Sequence, residues 1–177
     1  MTPELPPRST PLQPRKRAIV VGASSGIGAA LAVGAPFRPD TAAGCVAVAL
    51  LLQVVAKGGK LLLAHGLQDV LVCTRATEMY YQMLQSQFGP ENVDKFARYY
   101  EIPGLGHALS AAFTPGWDSL TALENWVEKG IAPRNQIATD TAVHAGRTRP
   151  LCEYPTWPKY NGSGDVNSAS SFTCSED

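Results

Sequence analysis

The sequence predicts an α/β domain built on a partial parallel sheet with flanking helices, and two repeats of one pattern lead to that reading. Lys60 leads into Leu61-Leu62-Leu63-Ala64, a compact apolar run of the kind buried on both faces inside a parallel sheet. It ends in the polar turn His65-Gly66-Leu67-Gln68-Asp69, at the strand edge where open α/β sheets place their chemistry. Phe96 to Ile102 reads as the next strand and leaves through Pro103-Gly104-Leu105-Gly106-His107. A helical stretch follows each loop, and strand, loop and helix twice over form the end of a doubly wound sheet. At 177 residues the chain can bury one core but is short for a complete α/β enzyme.

The helices follow from periodicity and capping. Thr74 is placed to cap one whose apolar positions Ala76, Met79, Tyr80, Met83 and Leu84 recur at three- and four-residue steps, and Gly89-Pro90 stops it. Asp118 is placed to cap another, with Leu120, Leu123, Trp126 and Val127 on one face and Gly130 and Pro133 closing it. Upstream, residues 1–14 hold five prolines and are expected to be extended or disordered. A Pro-rich leader (1–15) thus precedes one domain (16–177), in which 16–57 is a junction. That junction opens with Ala18-Ile19-Val20-Val21, a β-branched run that reads as a buried strand. A glycine turn and the helix-favouring Ala29-Ala30-Leu31-Ala32 come next, before a Pro/Gly-rich joint from Gly34 to Pro39.

Composition narrows the function classes. Hydrophobic residues make up 45% and charged residues 17%, which suits a globular chain. Net charge is zero with no sustained basic stripe, so no nucleic-acid partner is expected. The longest apolar run, Ala42 to Ala56, is broken by Gln53 and is shorter than the roughly 20 residues of a membrane span. It reads as a buried helix or strand pair, and no membrane partner is expected. Cysteines and histidines show no metal-ligand spacing, so neither a metal nor another cofactor is expected. Arg15-Lys16-Arg17, the apolar stretch after it and the small pair Ala30 and Ala32 also admit a signal-peptide reading, diluted by Ser and Gly.

Several segments together carry a resemblance. Gly58-Gly59-Lys60-Leu61-Leu62-Leu63-Ala64-His65-Gly66-Leu67-Gln68-Asp69 resembles the acid-bearing segment of the tannase and feruloyl esterase family. Pro103 to His107, Ala122 to Gly130, Arg147 to Cys152, Tyr160 to Asp165 and Phe172 to Cys174 are similar to later segments of that family, in the same order. The resemblance implies an α/β-hydrolase-like fold that splits esters of hydroxycinnamic, gallic and related aromatic acids. Its partner would then be a small aromatic ester. Carried over motif by motif, Asp69 is the triad acid and His107 the general base. The chemistry is coherent, because a serine hydroxyl needs an imidazole to take its proton and a carboxylate to orient that imidazole. His65 fits no such role and is expected to pack at the strand end; His144 reads as a loop residue.

The resemblance also implies a disulfide between Cys152 and Cys174, closing an otherwise irregular, Gly/Ser-rich tail. Such a bond would stabilise the fold by about 3 kcal/mol and points to a secreted or periplasmic setting, although no clear signal peptide is legible. Cys45 and Cys73 receive no partner. The departures are informative. Family members pair a cysteine beside the nucleophile with one directly after the histidine, and position 108 here is Ala. Their large calcium-binding lid and most of their N-terminal sheet have no counterpart. An incomplete sheet leaves an apolar edge, which makes a homo-oligomer an expectation.

Gly22-Ala23-Ser24-Ser25-Gly26-Ile27-Gly28 supports two readings. After a strand it resembles the cofactor turn of short-chain dehydrogenases, whose glycines let amides approach a dinucleotide phosphate. That family's Tyr-x-x-x-Lys is absent. The same residues satisfy Gly-x-Ser-x-Gly, the nucleophile elbow, with Ser24 as nucleophile and the Ser25 amide as an oxyanion donor. Ser24, Asp69 and His107 then stand in the hydrolase order. The leading expectation is an aromatic carboxylic-ester hydrolase. Its rivals are an inactive or binding fragment from a rearranged reading frame and, third, a dehydrogenase remnant.

Overall fold

The structure, a computed structural model, describes residues 19–22, 55–107 and 112–176. Three strands form a parallel sheet in the order β1 (Ile19–Gly22), β2 (Leu61–Gly66) and β3 (Ala97–Ile102). Gly22 stands opposite Ala64, and Gly66 opposite Ile102, so the three strands leave the sheet at the same end. The expected parallel pairing of the first two strands is therefore present, with β1 shifted by one residue.

The leucine run is explained by what covers it. Leu61 and Leu63 point to one face, where they pack with Tyr81 and Leu84 of α1 (Thr74–Phe88) and with Tyr99. Leu62 points to the other, against Leu123, Trp126 and Val127 of α3 (Ser119–Lys129) and against Tyr100 and Ile102. A strand buried on both faces has no polar side to alternate with. Between α1 and β3 the short helix α2 (Pro90–Val93) leads into the strand. Leu84 is fully buried, and truncating it to Ala would cost about 2–5 kcal/mol.

Two helix details differ from expectation. The N-cap of α1 is Cys73, and the Thr74 hydroxyl donates instead to the Gly66 carbonyl at 2.8 Å, tying the helix start to the end of β2. The buried residues of α1 are Thr77, Tyr81 and Leu84, while Met79 is exposed. In α3 the Asp118 cap forms as expected, accepting from the Thr121 amide at 3.1 Å, and Gly130 ends the helix at φ 72°. Leu120, however, faces solvent.

The C-terminal tail is more regular than expected. Strands β4 (Pro115–Gly116), β5 (Gln136–Asp140) and β6 (Thr148–Leu151) form one antiparallel sheet, and β7 (Trp157–Tyr160) and β8 (Phe172–Ser175) a hairpin. These strands are short and three of them contain proline, so period-two alternation barely registers in the sequence. The expected Cys152–Cys174 disulfide is present, with Cα atoms 5.4 Å apart, and it joins the end of β6 to β8. Cys73 is free and exposed. Glu153 and Tyr154 run along the outer edge of β3, where the Tyr154 amide donates to the Tyr99 carbonyl at 2.8 Å. Among the described residues no helix is long and apolar enough to cross a membrane.

Candidate active site

Parallel neighbours deliver Asp69 and His107 to the same end of the sheet, on the loops that leave β2 and β3. The two loops are joined by backbone. The Leu67 amide donates to Ile102 O at 3.1 Å and the Gln68 amide to Leu105 O at 3.0 Å. Gly66 makes this approach feasible, because a Cβ there would lie 2.3 Å from Leu105 O and 2.9 Å from Gly106 O. Gly104 turns the second loop with φ +82°, a conformation that disfavours side chains.

Asp69 is caged. Its side chain is 1% exposed, and Oδ1 accepts from the amides of Leu71 and Val72, both at 2.9 Å. This is an Asx-type turn, so the carboxylate does stabilise its own loop. Its remaining capacity goes to imidazole: His107 Nδ1 lies 3.0 Å from Oδ2 and 3.2 Å from Oδ1. Burial pushes the Asp69 carboxyl up, but the Val72 and Leu71 amides and His107 outweigh it and hold its pKa at about 2. The carboxylate is therefore ionised and acts only as an acceptor. That places a proton on Nδ1 of His107 and leaves the Nε2 lone pair as a base. His107 is 27% exposed, buried enough to be oriented and open enough to reach a substrate.

The structure thus brings together two of the residues singled out from sequence. Ser24 and Ser25 lie outside the described residues, as does Cys45. His65 packs at the strand end as expected, but its contact with the acid was not anticipated. His65 is buried, and its Nε2 lies 3.3 Å from Asp69 Oδ2. The signal was present in principle: a histidine on the same strand face as Leu61 and Leu63 must find a polar partner, and Asp69 is four residues on. His144 is an exposed turn residue whose amide donates to Asp140 Oδ2 at 3.0 Å.

The family profile described as tannase and feruloyl esterase matches residues 49–175. An uncharacterised esterase of Agrobacterium fabrum is 42% identical over 68% of this chain and 22% of its own length. Mono(2-hydroxyethyl) terephthalate hydrolase of Piscinibacter sakaiensis is 38% identical over 67% of this chain and 20% of its own length. The crystal structure of feruloyl esterase B from Aspergillus oryzae superposes with a TM-score of 0.63 at 25% identity, covering 71% of this chain and 28% of that one. The chain spans about a fifth of the length of these curated relatives. The likeness of residues 16–32 to a dehydrogenase cofactor turn is not supported by these matches.

Proposed function

This chain belongs to the tannase and feruloyl esterase family, and from that premise we propose that it is a carboxylic ester hydrolase acting on hydroxycinnamoyl or galloyl esters through a Ser-His-Asp mechanism. The observation that carries the reading is His107 Nδ1 seated 3.0 Å from a buried, ionised Asp69 at the ends of adjacent parallel strands. The aromatic acyl class is supported by relatives named for feruloyl and terephthalate esters.

Ser24 is the proposed nucleophile. It follows Gly22 by two residues, and Gly22 stands in register with the strand that delivers Asp69. His107 Nε2 takes the Ser24 proton as the oxygen attacks the ester carbonyl, and the Ser25 amide stabilises the resulting oxyanion. Collapse expels the alcohol, which receives the proton from His107. Water then attacks the acyl-enzyme, losing a proton to His107, which returns it to Ser24 Oγ as the aromatic acid leaves. Asp69 stays ionised throughout, holding Nδ1 and stabilising the imidazolium.

The test is hydrolysis of methyl ferulate, methyl gallate and p-nitrophenyl acetate by the whole chain, beside an NAD(P)H binding titration. Turnover of the aromatic esters that is lost in His107→Ala supports the proposal. No ester turnover makes the chain an inert or binding fragment, and saturable NAD(P)H binding revives the dehydrogenase reading.

A further inference from the structure

At the end of β2 an apolar strand buries an imidazole. His65 is 2% exposed and sits on the sheet face that packs against α1. Burying such a ring is costly unless its nitrogens are bonded, and all of its contacts run to the acid loop and the helix after it. Nδ1 lies 2.8 Å from Thr77 Oγ1. Nε2 lies 3.3 Å from the Val72 carbonyl and 3.3 Å from Asp69 Oδ2. Both neighbours of Nε2 are acceptors, so Nε2 carries a proton and donates, and Nδ1 accepts from the Thr77 hydroxyl.

We propose that His65 is a positioning residue for Asp69, fixing Oδ2 so that the carboxylate faces His107; this rests on reading Asp69 and His107 as acid and base. The two oxygens are held differently. Oδ1 is secured by the amides of Leu71 and Val72. Oδ2, the oxygen nearer to His107 Nδ1, is approached by two imidazoles, that of His65 at the end of β2 and that of His107 on the loop after β3. With His65 removed, the carboxylate can turn about its Cβ–Cγ bond while keeping one amide bond, and His107 loses its alignment. Thr77 extends the chain of contacts into α1, so the orientation of Asp69 is referred to a packed helix.

The test uses the whole chain and three variants, His65→Leu, His65→Gln and Thr77→Val. His65→Leu fills the space without a donor, whereas His65→Gln returns an amide N–H near the Nε2 position. Two readouts apply: kcat and KM on methyl ferulate, and the downfield proton resonance of His107 Nδ1–H, assigned by its absence in His107→Ala. For His65→Leu the expected kcat loss is about 10- to 100-fold, the value of one charge-assisted hydrogen bond, with KM changed less than about twofold. Its resonance should move upfield or vanish. His65→Gln should recover most of both signals, and Thr77→Val should fall between. An unmoved resonance and unchanged kcat in folded His65→Leu overturn the proposal. So do equal losses in the Leu and Gln variants with an unmoved resonance, which mark packing alone. Where His65→Leu does not fold, the Gln and Thr77→Val variants decide by the same resonance. A wild-type chain without ester turnover sinks the enzymatic reading alone, because the resonance comparison still settles whether His65 orients Asp69.

Discussion

Among the described residues, Asp69 and Asp140 bury their carboxylates near strand ends, and the backbone holds them in much the same way. Asp69 Oδ1 accepts from the amides of Leu71 and Val72. Asp140, at the end of β5, accepts from the amides of Thr114, Ala142, Val143 and His144. For both, burial pushes the carboxyl up, and the amide cage together with the side-chain partner more than reverses it, so both stay well below the ordinary carboxylate value. The difference is the side chain across from them. Asp140 Oδ2 faces the Arg147 guanidinium at 2.7 Å, which stays protonated and can only lock the turn. Asp69 faces imidazoles, whose ring nitrogens can accept as well as donate a proton. An amide cage makes an ionised carboxylate, and the partner decides whether that charge staples a loop or supports proton transfer.

Exchanging the two sites should separate these roles. Asp69→Asn should lower kcat on methyl ferulate by about 10⁴-fold with the fold intact, because an amide favours the wrong imidazole tautomer. Asp140→Asn should lower the thermal unfolding temperature and leave the kcat of the folded fraction unchanged. The reverse assignment of losses would break the comparison. His107→Ala should cost about 10²- to 10⁴-fold in kcat, whereas Arg147→Ala should act on unfolding alone.

A subtler variant touches neither carboxylate. In Gly66→Ala the new Cβ meets the backbone oxygens of Leu105 and Gly106, so the His107 loop must shift. A displacement of roughly 1 Å can cost about 10²-fold in rate, and kcat should fall by that order while far-UV circular dichroism is unchanged. In acid, the Asp69 carboxyl is depressed from 3.8 to about 2. Its contribution to stability is therefore complete above about pH 4 and is lost as pH falls through about 2. The stability gap between wild type and Asp69→Asn, followed by denaturant unfolding, should narrow across that window. Breaking the Cys152–Cys174 bond with Ser substitutions should cost about 3 kcal/mol of stability, measured by the same method, and spare kcat at low temperature.

Much of this was legible in the chain because local signals agreed with tertiary needs. Leu61-Leu62-Leu63 read as an interior strand because both its faces are covered, and Asp118 and Gly130 marked the ends of α3 by their capping chemistry. Periodicity misplaced the buried side of α1: Thr77 faces inward to reach His65, a partner no helical pattern reveals, while Met79 faces solvent. Asp69 and His107 came from motif resemblance, and their pairing follows from parallel strand order. The packing of His65 at the strand end was legible, but its contact with Asp69 was not, because that depends on the loop folding back over the strand that carries it. The strands of the tail escaped because Thr148 to Leu151 and Trp157 to Tyr160 each contain proline and span only four residues.

The central claim is that the Asp69–His107 pair serves a nucleophile at Ser24, and covalent labelling tests it most directly. The whole chain is treated with a fluorophosphonate and the modified peptide is mapped, in wild type and in His107→Ala. The account predicts modification at Ser24 in wild type and its loss in the variant, since an unassisted serine hydroxyl is a poor nucleophile. Modification at another serine, or none on a folded chain, would contradict it.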